Sequence, residues 1–319
     1  MFDMISRRTF LHGAMAASTG AAMGFGFEDR ILLARAGDTS AERPVGPETS
    51  AMPRGKIGDL EVSRLICGGN LISGFAHSRD LIYVSKLLRE YFTDDKVLET
   101  FQRCEESGIN TALLRLDNDT LRILDKHWKE RGGRLQWIAQ VKPRERDLFT
   151  DIDRAVDHGA AAVYIQGETG DRFVEQGWTD KLGETLARIK SHGVPAGMGA
   201  HKIDVLHACV NTGIAPDFYM KTFNAKSYWS AGPMPRNDSV WEETPEETTA
   251  FFQGSKAPWI AFKVLGAGAI HPREGFQYAF EHGADFICVG MFDFQVREDA
   301  AIAVETLALL AGRERPWCA

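Results

Sequence analysis

"LQWIAQVKPRERDLFTDIDRAVDHGAAAVYIQG", residues 135–167, decides the fold. Its two ends, LQWIAQVK (135–142) and AAVYIQG (161–167), are short apolar runs of strand length,. Between them DIDRAVDHGA (151–160) is amphipathic at helical spacing and stops at Gly159 after His158, the arrangement in which glycine takes a left-handed helix cap,. A strand, a helix and a second strand with no hairpin turn between them make a parallel βαβ unit.

The same rhythm runs outward in both directions. Further strands are predicted at 64–70 (RLICGGN), 109–115 (INTALLR), 194–200 (VPAGMGA), 216–222 (PDFYMKT), 259–268 (WIAFKVLGAG) and 285–291 (DFICVGM). Amphipathic stretches such as DKVLETFQRCEESG, LRILDKHWKERGG, KLGETLARIKSHG and REGFQYAFEHGA lie between them. Eight strand–helix units over about 250 residues predict a (β/α)8 TIM barrel. An open doubly wound sheet is the alternative, and it lacks a G-x-G-x-x-G after the first strand,. Two stretches exceed a minimal barrel, 71–92 after the first strand and 223–244 after the sixth. Both leave the C-terminal ends of strands, where barrels place their sites, and both are candidate lids,.

Ahead of the barrel stands SRRTFLH (6–12), followed by the Ala/Gly-rich run GAMAASTGAAMGFGF. It resembles a twin-arginine export signal, with Arg7 and Arg8 paired, and Ala34 and Ala36 in ILLARA supply an A-x-A-like cleavage site after Ala36,. The expected organisation is a signal peptide over 1–36, a Pro/Ser/Thr-rich tether over 37–52 and a barrel domain over 53–319,. The resemblance implies passage through the twin-arginine translocase to a periplasmic or extracellular location. That route carries folded proteins, so a cofactor loaded before export is compatible with it.

Composition narrows the function classes. Lys and Arg number 37 against 44 Asp and Glu, a net charge of −7, which argues against a nucleic-acid or anionic-membrane surface,. No stretch after the signal is long and apolar enough for a stable membrane span,. The five cysteines lie far apart with no C-x-x-C, an odd number that does not suggest a disulfide framework,. A small-molecule substrate is the expected partner.

At the predicted C-terminal strand ends stand Asn70, Arg115, Asp117, Lys142, Gln166, Glu168, His201, Lys221 and Asp293. Polar ends from six or seven strands that point at one cavity make a candidate site. Lys142 closes an apolar strand, where partial desolvation suits it to act as an acid, a base or a Schiff-base nucleophile. A lysine there also reaches water easily along its own stem. Lys263 is a second such lysine, deeper in its strand. His77, Asp80, Glu168 and His201 have the donor chemistry for a divalent metal but share no ligand-type spacing, and HSRD (77–80) reads equally as a helix start,. Gly266 and Gly268 in FKVLGAGAI, with Gly290 near the end of the eighth predicted strand, place backbone NH groups where an anion could be cradled; the same glycines also relieve crowding at a barrel rim,.

The stretch RGKIGDLEVSRLICGGN resembles the opening of aldo/keto reductases, roughly R-x-L-G-x-T-G-L-x-V-S-x-L-x-L-G, and weaker likenesses follow in order to about residue 310. SGINTALLRL falls where the family has G-x-x-x-F-D-T-A-x-x-Y-G. AQVK and AVYIQG match the strands that carry its lysine and histidine, and YMKTFN matches N-Q-I-x-Y-N. The resemblance implies an aldo/keto reductase-like barrel with NADP as a possible cofactor and Phe223 where an aromatic stacks on nicotinamide. It places the catalytic Asp, Tyr, Lys and His at Asn110, Arg115, Lys142 and Gln166. Arginine stays charged at neutral pH and is a poor proton donor, so the standard carbonyl reduction is not expected.

Three functions follow as expectations. The first is an acid/base lyase or isomerase for a sugar or keto-sugar, with Lys142 as acid or base, Arg115 and Gln166 on substrate oxygens and His201 as a second acid/base. The second is an oxidoreductase with preloaded, tightly held NADP. The third is a non-catalytic carbohydrate-binding barrel in which Trp229 and Trp241 stack on sugar rings.

Overall fold

The computed structural model describes residues 51–75, 81–225, 241–310 and 312–318. The twin-arginine stretch, the body of the tether, His77, Asp80 and Trp229 lie outside the described residues. Met52, assigned above to the tether, is buried in the hydrophobic core.

The first element is a hairpin, β1 (Arg54–Ile57) and β2 (Leu60–Ser63), paired antiparallel through a turn with Gly58 at φ 59°. Eight parallel strands follow: β3 (Leu65–Gly68), β4 (Thr111–Arg115), β5 (Gln136–Val141), β6 (Ala162–Ile165), β7 (Ala196–Ala200), β8 (Phe218–Thr222), β9 (Trp259–Phe262) and β10 (Phe286–Val289). They pair in chain order, and β10 pairs with β3 to close the barrel. Each predicted strand is present. The seventh is shorter than its apolar run because Lys263 takes a left-handed φ of 62°, which ends the extended backbone at Phe262,.

Helices cover the barrel: α1 (Val84–Tyr91), α2 (Asp94–Glu106), α3 (Asn118–Asp125), α4 (Thr150–Asp157), α5 (Gly167–Glu175), α6 (Thr179–Ser191), α7 (Asp204–Thr212), α8 (Pro245–Gly254), α9 (Pro272–Glu281) and α10 (Val296–Leu309). The predicted His-Gly stops hold, since Gly159, Gly193 and Gly283 after α4, α6 and α9 all have positive φ,. Among the described residues no helix is long and apolar enough to cross a membrane.

Alternation along the strands makes two cores. Outward residues such as Trp137, Val163, Met198 and Tyr219 pack on the helices, while Ile66, Leu113, Ile138, Tyr164, Phe218, Met220, Ile260, Phe286 and Cys288 fill the barrel,. Ile57 and Val62 of the hairpin join the inner cluster and plug its N-terminal end. Asn110 fastens that plug: its Oδ1 accepts from Ser63 N at 2.8 Å and its Nδ2 donates to Glu61 O at 2.9 Å.

The C-terminal tail wraps the same end. Asp285 is fully buried between Arg313, at 3.0 Å, and Arg315, at 2.8 Å, and it also accepts from Trp259 N and Cys318 N. The Arg64 and Arg313 guanidinium groups lie 4.3 and 3.4 Å from the centre of the Trp317 ring,.

Asp299 on α10 is only 3% exposed, and burial, with Glu298 adding repulsion, pushes its carboxyl up to about 7. The folded state therefore holds this proton more tightly than the unfolded chain. Below about pH 4 Asp299 carries no penalty, and the penalty grows as pH rises and levels off above 7. By pH 8 it reaches roughly 4 kcal/mol. Asp299→Asn is expected to remove this slope, so urea unfolding at pH 5 and pH 8 should show the variant gaining on the parent as pH rises. A parallel pair of curves would contradict the assignment.

Candidate active site

At the C-terminal end of the strands the inner core opens into a cavity of about 370 Å³. Its floor is the top of the barrel core, with Leu113, Tyr164, Met220 and Cys288. One wall is the stretch inserted after β3, through Leu71, Phe75, Leu81, Val84 and Leu88, with Phe292 beside it. The described part of the candidate lid, 71–75 and 81–92, thus supplies an apolar wall of the cavity. Asp293 holds α1 in place by accepting from Tyr91 Oη and from Lys96 Nζ, the latter at 3.3 Å. Gly68 permits the strand contact beneath, since a Cβ there would lie 2.9 Å from the backbone of Val289 and Gly290,.

The polar part of the cavity comes from β4, β5 and β6. Tyr164 points inward from β6 and its phenol oxygen accepts from Gln140 Nε2 at 2.5 Å. Burial raises the phenol well above its ordinary range, so the proton stays on and, with Gln140 on the lone pair, the O–H is left to donate toward the cavity,. Arg115 ends β4. Its Nε is held at 2.9 Å by Asp117, whose other oxygen caps α3 through Thr120 N at 2.8 Å, and its guanidinium stacks 4.9 Å from the Phe75 ring. One edge and one face are therefore fixed, and the terminal nitrogens make no hydrogen bond among the described residues. Asn70, Ser73, Gln295 and Lys263 complete the polar lining. Lys263 reaches the wall through its left-handed backbone, a conformation that costs a non-glycine residue about 1 kcal/mol and marks a constrained site,.

Several residues expected in the site lie elsewhere. Asn110 is at the opposite end of the barrel, because it precedes β4 rather than ending it. Counting the family pattern from Gly108 brings its Asp onto Leu113, an apolar residue on the cavity floor. Lys142 is exposed and opens onto a neighbouring groove, since β5 stops at Val141 and the chain turns outward at Pro143. Gln166 starts α5 and makes contact with Thr169, and Tyr164 two residues earlier takes the inward position. The signal for Tyr164 was present in AAVYIQG as strand alternation, but it appears only once the strand end is placed.

His201 stands after β7, behind the cavity wall, with its ring 5.6 Å from that of Phe262. Its Nδ1 pairs with Asp171 Oδ2 at 2.7 Å, and burial together with Lys263 lowers its basicity, so the ring is neutral at pH 7. Lys221 faces outward from β8 into a fully buried pair with Glu242 and donates to His201 O at 2.7 Å, which ties the residues after 240 to the strand ends. Trp241 beside it is half-buried.

The metal and nucleotide expectations meet the same geometry. Among the described residues no three His, Cys, Asp or Glu side chains gather as a metal site. Glu168 is exposed and His201 is committed to Asp171, while His77 and Asp80 lie outside the described residues. Phe223 is fully buried on the outer face, stacked on Tyr278 at 5.2 Å and edge-on to Trp259, so it is unavailable for nicotinamide. Gly268 and Gly290 do line the cavity, whereas Gly266 is buried beneath the turn. The first turn of α10, which follows the cavity residue Gln295, carries the acidic Glu298 and no basic residue besides Arg297. These residues do not fit NADP in the manner the resemblance implies.

No protein-family model matches this chain, and no curated protein does. Solved structures do. A presumptive aldo-keto reductase from Pseudomonas aeruginosa superposes with a TM-score of 0.59 at 15% identity, over 81% of this chain and 98% of that one. The fold is an aldo/keto reductase-like (β/α)8 barrel. The protein Gox0644 in complex with NADPH gives 0.53 at 10% identity, over 81% and 89%. A truncated 3-deoxy-D-arabino-heptulosonate 7-phosphate synthase from Thermotoga maritima gives 0.52 at 12% identity, over 82% and 95%. At such identities the likeness concerns the barrel alone.

Proposed function

We propose that this barrel is an enzyme for a small, oxygen-rich substrate such as a sugar acid or keto-sugar, working by proton transfer beside a carbonyl. The observation that carries this reading is the donor-rich polar lining: Arg115, Tyr164 and Gln140 supply donors, and no carboxylate stands among the described lining residues. Such a lining favours an oxygen atom that becomes more negative during reaction, as an enolate or alkoxide does. Tyr164 O–H and Arg115 would hold that oxygen. Lys263, the amine on the same wall, takes the acid/base part that the sequence reading assigned to Lys142. The export signature at Arg7 and Arg8 supports a site of action outside the cytoplasm.

The test is proton exchange. The full chain is incubated in D2O with a panel of aldoses, ketoses and hydroxy- or keto-acids, and NMR follows loss of the C–H signal beside the carbonyl. Exchange into at least one member of the panel is the expected result. Tight binding without exchange would leave a carbohydrate-binding barrel, and NADPH-dependent reduction without exchange would leave a reductase; either would end this reading.

A further inference from the structure

Beside the cavity, and joined to it through Arg115 and Gln140, lies a second groove of about 280 Å³. Four cations line it, Arg115, Lys142, Arg144 and Arg154, against two carboxylates, Asp117 and Asp151. Asp117 is already used by Arg115 and by the cap of α3. Among the described residues Lys142, Arg144 and Arg154 have no salt-bridge partner, and Arg154 is steadied instead by the neutral Asn118 Oδ1 at 2.5 Å. The loop that presents Lys142 and Arg144 is braced. Pro143 between them is buried, with its carbonyl 3.5 Å from Arg172, and Arg144 exchanges backbone hydrogen bonds with Asp147 at 2.9 and 3.0 Å. A chain of net charge −7 thus holds a local surplus of two positive charges next to its cavity.

We propose that this groove binds the phosphoryl group of a phosphate monoester whose carbonyl-bearing part occupies the cavity. A monoester dianion matches the surplus of two charges, and Arg and Lys side chains are the usual partners of its oxygens. Arg115, on the boundary, contacts both parts of the ligand and sets the register between them. The proposal rests on the reading that the cavity holds the substrate, and it narrows that substrate to a sugar-sized phosphate.

The experiment is calorimetric titration of the full chain with inorganic phosphate, then with a hexose 6-phosphate and the parent hexose. The variants are Lys142→Met/Arg144→Met, both surface positions, and Tyr164→Phe. The double variant is expected to bind phosphate at least about tenfold more weakly, and Tyr164→Phe to bind it as the parent does. The hexose phosphate should bind the parent more tightly than inorganic phosphate does, since it also fills the cavity. Phosphate that fails to bind, or that binds the parent and the double variant alike, overturns the proposal. If no carbonyl compound exchanges its proton but phosphate binding still depends on Lys142 and Arg144, the functional reading falls and the groove stands.

Discussion

Asp285→Asn is expected to cost on the order of 3–5 kcal/mol of stability, which for a domain of this size lowers the thermal midpoint by roughly 10 °C. The carboxylate is fully buried and accepts from Arg313, Arg315, Trp259 N and Cys318 N, so each of its oxygens serves two donors. Asparagine keeps the shape, removes the charge and turns one acceptor into a donor that faces other donors. Two guanidinium groups whose side chains are 2% and 3% exposed are then left without a counter-ion, and Arg64 lies close by. Urea unfolding would give the number. Adding Arg315→Met to Asp285→Asn should recover part of the loss, because the second change removes one of the stranded charges. A loss under about 1 kcal/mol would mean that water reaches the cluster and that the tail is not clamped as described.

The second large effect is on chemistry. Tyr164→Phe is expected to lower the proton-exchange rate by about 10²–10³, the usual consequence of removing one donor from a developing oxyanion. Its cost in stability is small, about 1 kcal/mol, since Gln140 loses one hydrogen-bond partner and the ring still fills the barrel,. The contrast between a large kinetic change and an unchanged fold is the diagnostic. Arg115→Met gives a different split. It should raise KM more than it lowers kcat if Arg115 mainly holds the substrate. An exchange rate that survives Tyr164→Phe would move the donor role to another residue on the cavity wall.

Much of this molecule is legible without coordinates. Strand–helix alternation gave all eight barrel strands, the His-Gly helix stops and the insertion that becomes the cavity wall. These are local signals, set by side-chain periodicity and backbone preference within a dozen residues. The site was only partly legible. Arg115 lines the cavity because it ends its strand on the inward register. Lys142 and Gln166 follow the inward-facing Gln140 and Tyr164 by two residues, but each strand ends just before them and the chain turns away, so neither lines the cavity,. Asn110 precedes β4 and is bound to the hairpin, so it stands at the end of the barrel opposite the cavity.

The sequence alone therefore determined the class of fold and the acidic balance, since each depends on composition or on neighbours along the chain. Tertiary structure alone decided that Tyr164 meets Gln140 at the floor of the cavity and that Phe223 is walled in by Tyr278 and Trp259. It also decided that Asp285 gathers two arginines from a tail some 30 residues away. Those meetings depend on barrel closure and on the register between strands far apart in the chain. No local pattern encodes the distance between such residues, so their chemistry appears only when the barrel has closed.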